Sequence, residues 1–115
     1  MRLRSTVAAA LGALALVVAL PASAHAATGD FSYTYTGLDG SPRVGFLIDP
    51  PSRVCITLPE VADPGSSYPA HTPQNLTDSS ATVFTGPGCQ GDYFTLRPDG
   101  GHASSRLKLR SVVFS

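Results

Sequence analysis

Cys55 and Cys89 carry the sharpest chemistry in this 115-residue sequence, and their spacing decides what that chemistry is. A chelating or redox pair stands a few residues apart, and a zinc set adds histidines at ligand spacing. Neither condition holds here. In an oxidising compartment two cysteines have a single intramolecular connectivity, so a disulfide is expected. Closing a loop of about 35 residues contributes about 3 to 4 kcal/mol by chain entropy, a large share of a small domain's stability. Acid-base or nucleophilic catalysis would need His71 or His102 to meet a serine and an aspartate in space, because triads ignore sequence order. Nothing selects such a set. The sequence has no Gly-x-Ser-x-Gly elbow, no His-Glu-x-x-His helix and no phosphate-cradling glycine loop, and Glu60 is its only glutamate. Neither an enzyme nor a cofactor is expected.

Arg106, Lys108 and Arg110 alternate along one side of the last strand-like segment and could hold a phosphate or an acidic partner. The favoured reading is a solvated strand face whose charges discourage edge pairing. Asn75-Leu76-Thr77 matches a glycosylation sequon, but with no eukaryotic marker in the chain it is read as a turn.

These residues belong to an exported chain. Arg2 and Arg4 form a charged leader, an apolar stretch runs from Val7 to Leu20, and Pro21 precedes Ala22-Ser23-Ala24-His25-Ala26. That is a secretory signal peptide over residues 1–26, with Ala24 and Ala26 as the small residues before the cut. The apolar stretch is shorter than the roughly 20 residues a spanning helix needs. Without Arg2 and Arg4, six cations face eight carboxylates, a mature net charge of −2. Such a balance gives no general attraction to nucleic acid or to an anionic membrane.

Residues 27–115 form one domain that reads as strands and turns, with no apolar repeat at helical spacing. Phe31, Tyr33 and Tyr35 alternate with Ser32, Thr34 and Thr36, giving one aromatic and one hydroxyl face. Val44, Phe46 and Ile48 share one side of a second run, which stops at Asp49-Pro50-Pro51. Val54, Ile56 and Leu58 share a face of a third, placing Cys55 on the other. Pro59 to Gln74, with Pro59, Pro64, Pro69 and Pro73, reads as one long surface loop; Pro59, Pro64, Tyr68, Pro69 and His71 are its candidate partner contacts. Further strands are expected from Ala81 to Thr85 and Asp92 to Leu96, around a tight turn from Gly86 to Gly91. In the final strand, Leu107, Leu109, Ser111 and Val113 would share the inner face. The expectation is an all-β fold of six strands, a small antiparallel Greek-key β-sandwich with one disulfide.

In Ala81 to Phe114, Phe84 ends a strand, Cys89 sits in the folded turn, Gly91 follows two residues on, and Ser111 lies in the last strand. This pattern resembles the βγ-crystallin-type Greek-key motif of small secreted bacterial proteins. The resemblance implies that Gly91 allows the hairpin to fold back through positive φ and that the Ser111 hydroxyl secures the hairpin. Cys89 stands where the motif usually has an aromatic, as though a disulfide replaces ring packing. Family members often bind calcium through an Asn/Asp pair, two variable residues, then Ser/Thr and Ser. Arg106 to Ser111 lacks the acidic positions, and Asn75-Leu76-Thr77-Asp78-Ser79-Ser80 lacks only the second ligand. The competing reading of that second segment is a turn rich in side-chain to backbone hydrogen bonds, and no metal is expected. The conclusion is a monomeric, secreted, non-enzymatic module that contacts an unknown extracellular protein or cell-surface ligand. The alternative is a peptidase inhibitor presenting Pro59 to Gln74, because a metalloproteinase-inhibitor branch and a killer-toxin-like branch share the resembled fold.

Overall fold

The computed structural model describes residues 26–115; the signal peptide expected over residues 1–26 lies, but for Ala26, outside them. Among these described residues nine strands form two antiparallel sheets. β1 (Asp30–Thr36) and β2 (Pro42–Ile48) form a hairpin. β3 (Ile56–Thr57) is short, β4 (Ala70–Asn75) returns beside β1, and β5 (Ala81–Phe84) pairs with β6 (Tyr93–Leu96). β7 (Gly101–His102) and β8 (Lys108–Leu109) pair with β4, and β9 (Ser111–Phe114) runs between β3 and β5. The first sheet has the order β2-β1-β4-β7, with β8 also on β4, and the second has the order β3-β9-β5-β6. The fold is sandwich-like and all-β.

Alternation makes the core. Phe31 and Tyr33 on β1 meet Val83, Leu96, Val112 and Phe114 of the second sheet, and Phe31 packs edge-on against Phe114 at 5.4 Å between ring centres. Gly45 lies beneath the Tyr33 ring, where a Cβ would stand 2.5 Å from it, so β2 needs a glycine there.

Val44, Phe46 and Ile48 do share one side of β2, but it is the outer side; Gly45 and Leu47 face inward. The third run is a strand only at Ile56–Thr57: Val54 is exposed, while Leu58 is buried as the chain enters a 3-10 turn over Pro59–Val61. The expected loop from Pro59 to Gln74 ends at Pro69. Beyond it β4 is a central strand despite Pro73, because the register with β1 shifts between Ser32 and Thr34. Thr72 takes φ 54° at that bulge, so a proline without an N–H fits there.

The expected single strand from Leu107 to Phe114 is in fact two. Leu109 pairs in the first sheet and Ser111 in the second, so the chain crosses between sheets at Arg110. The crossing shifts the alternation: Val112 and Phe114 point into the core, and Arg110 is buried rather than solvated. Arg106 and Lys108 remain exposed.

Candidate functional site

The hairpin between β5 and β6 folds back over the outer face of the second sheet; of its ties the sequence reading singled out Cys55, Cys89, Gly91 and Ser111 but not Thr57. The disulfide joins Cys55 to Cys89 with Cα atoms 6.0 Å apart. Thr57 Oγ1 accepts the Gly88 N–H at 3.0 Å. Ser111 Oγ accepts the Cys89 N–H at 2.8 Å and donates to the Gly86 carbonyl at 2.6 Å. Gly91 takes φ 89°, a left-handed conformation that a side chain would strain. Phe84 is half-buried against Tyr93, with ring centres 6.2 Å apart. This corner is a clamp that fixes the scaffold.

Asn75 anchors a second knot. It is fully buried, and its amide donates to the carbonyls of Ser79, Leu96 and Arg97, while Oδ1 accepts from the Thr77 N–H and hydroxyl. The Asn75 to Ser80 segment is therefore a turn built on side-chain to backbone bonds, and a cation there would compete with Thr77 for Asn75 Oδ1. The same burial withdraws the sequon asparagine from the surface.

The two histidines are not brought together with a carboxylate. His71, half-buried on β4 rather than in the loop, places Nδ1 2.7 Å from Thr72 Oγ1. His102 on β7 places Nδ1 3.0 Å from the Gly100 carbonyl.

The remaining candidate is the segment Pro59 to Pro69, and here the structure adds residues the sequence did not single out. Val61 is buried and roots the 3-10 turn in the core. The Tyr33 hydroxyl donates to Glu60 Oε1 at 2.7 Å. Burial, then this bond to a carboxylate, drives the Tyr33 pKa well above the ordinary phenol range. Arg110 braces the far end from beneath: Nη1 donates to the Val61 carbonyl at 2.9 Å and to Ser67 Oγ at 3.0 Å, and Nη2 to the Ser67 carbonyl at 2.8 Å. The planar guanidinium fork suits this, since it can hold carbonyls on two sides of a loop. Asp63 shapes the tip by accepting from the Gly65 N–H at 2.9 Å and the Ser66 hydroxyl at 2.9 Å. Those bonds, aided by the field of Arg110, hold its carboxyl below the usual range.

With the back of the loop fixed, its front is free. Pro59, Pro64 and Tyr68 are exposed, and Pro69 is half-buried. The β1–β2 turn stands beside it and presents a fully exposed Leu38. Two adjoining depressions of about 540 and 440 Å³ share Thr36, Gly37, Leu38 and Glu60 as lining and run between turn and loop. Arg43 lies along one wall, its guanidinium 3.5 Å from Asp39. Sequence reasoning found the loop but not that Tyr33, Glu60 and Arg110 hold it. Glu60, the lone glutamate, immediately after a proline, was the one available signal; Arg110 gave none, because alternation reads it as outward. Comparison with known proteins identifies no family: no family model matches the chain, and no curated protein or solved structure matches it.

Proposed function

We propose that this chain is a small secreted, non-enzymatic binding module that contacts an extracellular protein or cell-surface ligand through the loop Pro59 to Pro69 and the adjoining Leu38 turn. One observation carries the reading. A buried arginine and a buried tyrosine are committed to holding the back of a loop whose front presents an exposed Tyr68, beside a turn that presents an exposed Leu38. Ordering a loop before docking reduces the entropy lost on binding, and exposed Tyr and Leu supply apolar contact area. Secretion rests on the leader pattern at the N-terminus. A βγ-crystallin-like Greek-key topology draws support from the strand orders: β1, β2 and β4 share a sheet while β3 crosses, and β5, β6 and β9 share the other while β7 crosses. The bonds of Ser111 to the folded hairpin add to it.

The inhibitor reading takes a modified form. Asp63 to Ser66 make a reverse turn, with the Ser66 N–H bonded to the Asp63 carbonyl at 3.2 Å, so the tip is not the extended strand a protease cleaves. An inhibitor built this way would block a cleft as a wedge rather than lie in it as a substrate. The test is capture from the native culture medium on immobilised protein, comparing the wild type with Leu38→Asp/Tyr68→Ser and with Tyr93→Ser on the other sheet. A partner lost only with the first variant supports the reading, and inhibition by that partner's protease activity assay identifies the wedge. A partner retained by Leu38→Asp/Tyr68→Ser refutes it.

A further inference from the structure

Two overlapping sets of small residues precede the domain, Ala22 with Ala24 and Ala24 with Ala26, and each is what a signal peptidase requires beside its cut. A third cut, after Ala27, would put the bulky His25 where the outer small residue belongs. The three cuts leave chains that begin at His25, Ala27 or Thr28, and the fold distinguishes these products.

Residues 26–29 are a fastened part of the domain. Ala26 pairs with Pro51 in an antiparallel bridge. Ala27 belongs to the buried core, and its N–H donates to the Pro50 carbonyl at 2.8 Å. The Thr28 N–H donates to Asp78 Oδ1 at 2.8 Å, and its carbonyl accepts the Asp78 N–H at 3.0 Å. The Gly29 N–H donates to Asp49 Oδ1 at 2.8 Å, and its carbonyl accepts the Asp49 N–H at 2.9 Å. Every residue from Ala26 to Gly29 is therefore tied either to the Asp49–Pro51 corner or to Asp78. Pro50, which receives Ala27, is itself buried.

We propose that the processing site lies after Ala24, so that the mature protein begins at His25 and keeps Ala26. The proposal rests on the secretion reading above and replaces the expected cut after Ala26. That later cut would remove the residue bridged to Pro51 and turn the Ala27 amide into an ammonium at the edge of the apolar core, where the Pro50 carbonyl is in place for only one of its three protons. A cut after Ala27 would take a buried methyl out of the core and leave the Pro50 carbonyl without its donor. The cut after Ala24 does neither. It keeps the bridge and the buried alanine, and it forms the charged amine two residues ahead of the core, before the exposed Ala26.

Expression of the full 115-residue chain in an exporting bacterial host, with N-terminal sequencing and intact mass of the protein in the medium, tests this. The wild type is expected to begin His25-Ala26-Ala27. Ala26→Tyr sets a large side chain immediately before the later cut and leaves the earlier set intact, so its product should still begin at His25. Ala22→Tyr spoils only the earlier set and should shift the product to Ala27, with a melting temperature below that of the wild-type product. A wild type that begins at Ala27 or Thr28 overturns the proposal, as does an Ala26→Tyr chain that stays uncut. Equal melting temperatures for the products beginning at His25 and Ala27 also overturn it, because the contacts of Ala26 would then hold nothing. A wild type that keeps its leader and never reaches the medium refutes the secretion reading itself, and its full-length mass tells that failure apart from a misplaced cut.

Discussion

Replacing Arg110 by methionine removes the brace of the Pro59–Pro69 loop while leaving an apolar side chain in its place. The guanidinium bonds to the Val61 and Ser67 carbonyls and to the Ser67 hydroxyl. Its loss leaves two carbonyls facing a space without a donor, at about 1 to 3 kcal/mol each, though relief from burying a cation offsets part of that. A net cost of about 2 kcal/mol is expected, concentrated where the bonds were. If the loop opens locally to hydrate these carbonyls, its open population rises about 30-fold, since each 1.4 kcal/mol is a factor of ten. Amide hydrogen exchange at Val61, Gly65 and Ser66 reads this directly, because their N–H groups bond within the loop. Limited proteolysis between Ala62 and Tyr68 gives a second readout. Arg110→Lys should fall between wild type and methionine, because an ammonium keeps the charge but loses the planar fork. The melting temperature should drop by about 8 to 16 °C for a domain of this size. Unchanged exchange in the loop, with or without a lower melting temperature, would refute the brace and with it the case for a preformed contact surface.

Reducing the Cys55–Cys89 bridge frees a segment with a sequence separation of 34. The loss should be about 3 to 4 kcal/mol, seen as a fall of at least about 12 °C in the melting temperature on adding dithiothreitol. Tyr33 titrates higher in the fold than in the unfolded chain, so its contribution is complete below the unfolded value of about 10 and declines as pH climbs above it. Melting temperatures between pH 9 and 11 should therefore fall more steeply for the wild type than for Tyr33→Phe, and parallel slopes would contradict this. Asn75→Asp would set a carboxylate against the Ser79, Leu96 and Arg97 carbonyls. A loss of about 3 kcal/mol or more is expected in denaturant melts, with no rescue by calcium.

Much of the architecture was legible because it follows from local pattern. Phe31 and Tyr33 share one face of a strand by alternation, the resemblance to a Greek-key motif pointed to Gly91 and Ser111 as parts of a folded hairpin, and the cysteines had one way to pair. Three features were hidden, each by a long-range effect. β4 was obscured by Pro73, whose place depends on a bulge set by the register with β1. The outward side of β2 was misleading because the Tyr33 ring claims the space above Gly45, and a glycine carries no hydrophobic signal. Arg110 looked solvated because a switch between sheets shifts the alternation, and nothing in Leu109-Arg110-Ser111 marks that switch. The loop's position could be read from its prolines, whereas its rigidity could not, since Tyr33 and Arg110 are far from it in the chain.

The placement of β9 between β3 and β5 also bears on the order of assembly. A chain emerging from a ribosome delivers β3 and the β5–β6 hairpin before the strand that unites them. Until β9 arrives, the second sheet is two unjoined fragments, Phe31 lacks Phe114, and neither Ser111 nor Arg110 is there to fasten the hairpin or the loop. The polypeptide thus stays loose for most of its synthesis and locks only when its late strand slots home, with the Pro59–Pro69 loop among the last parts to set.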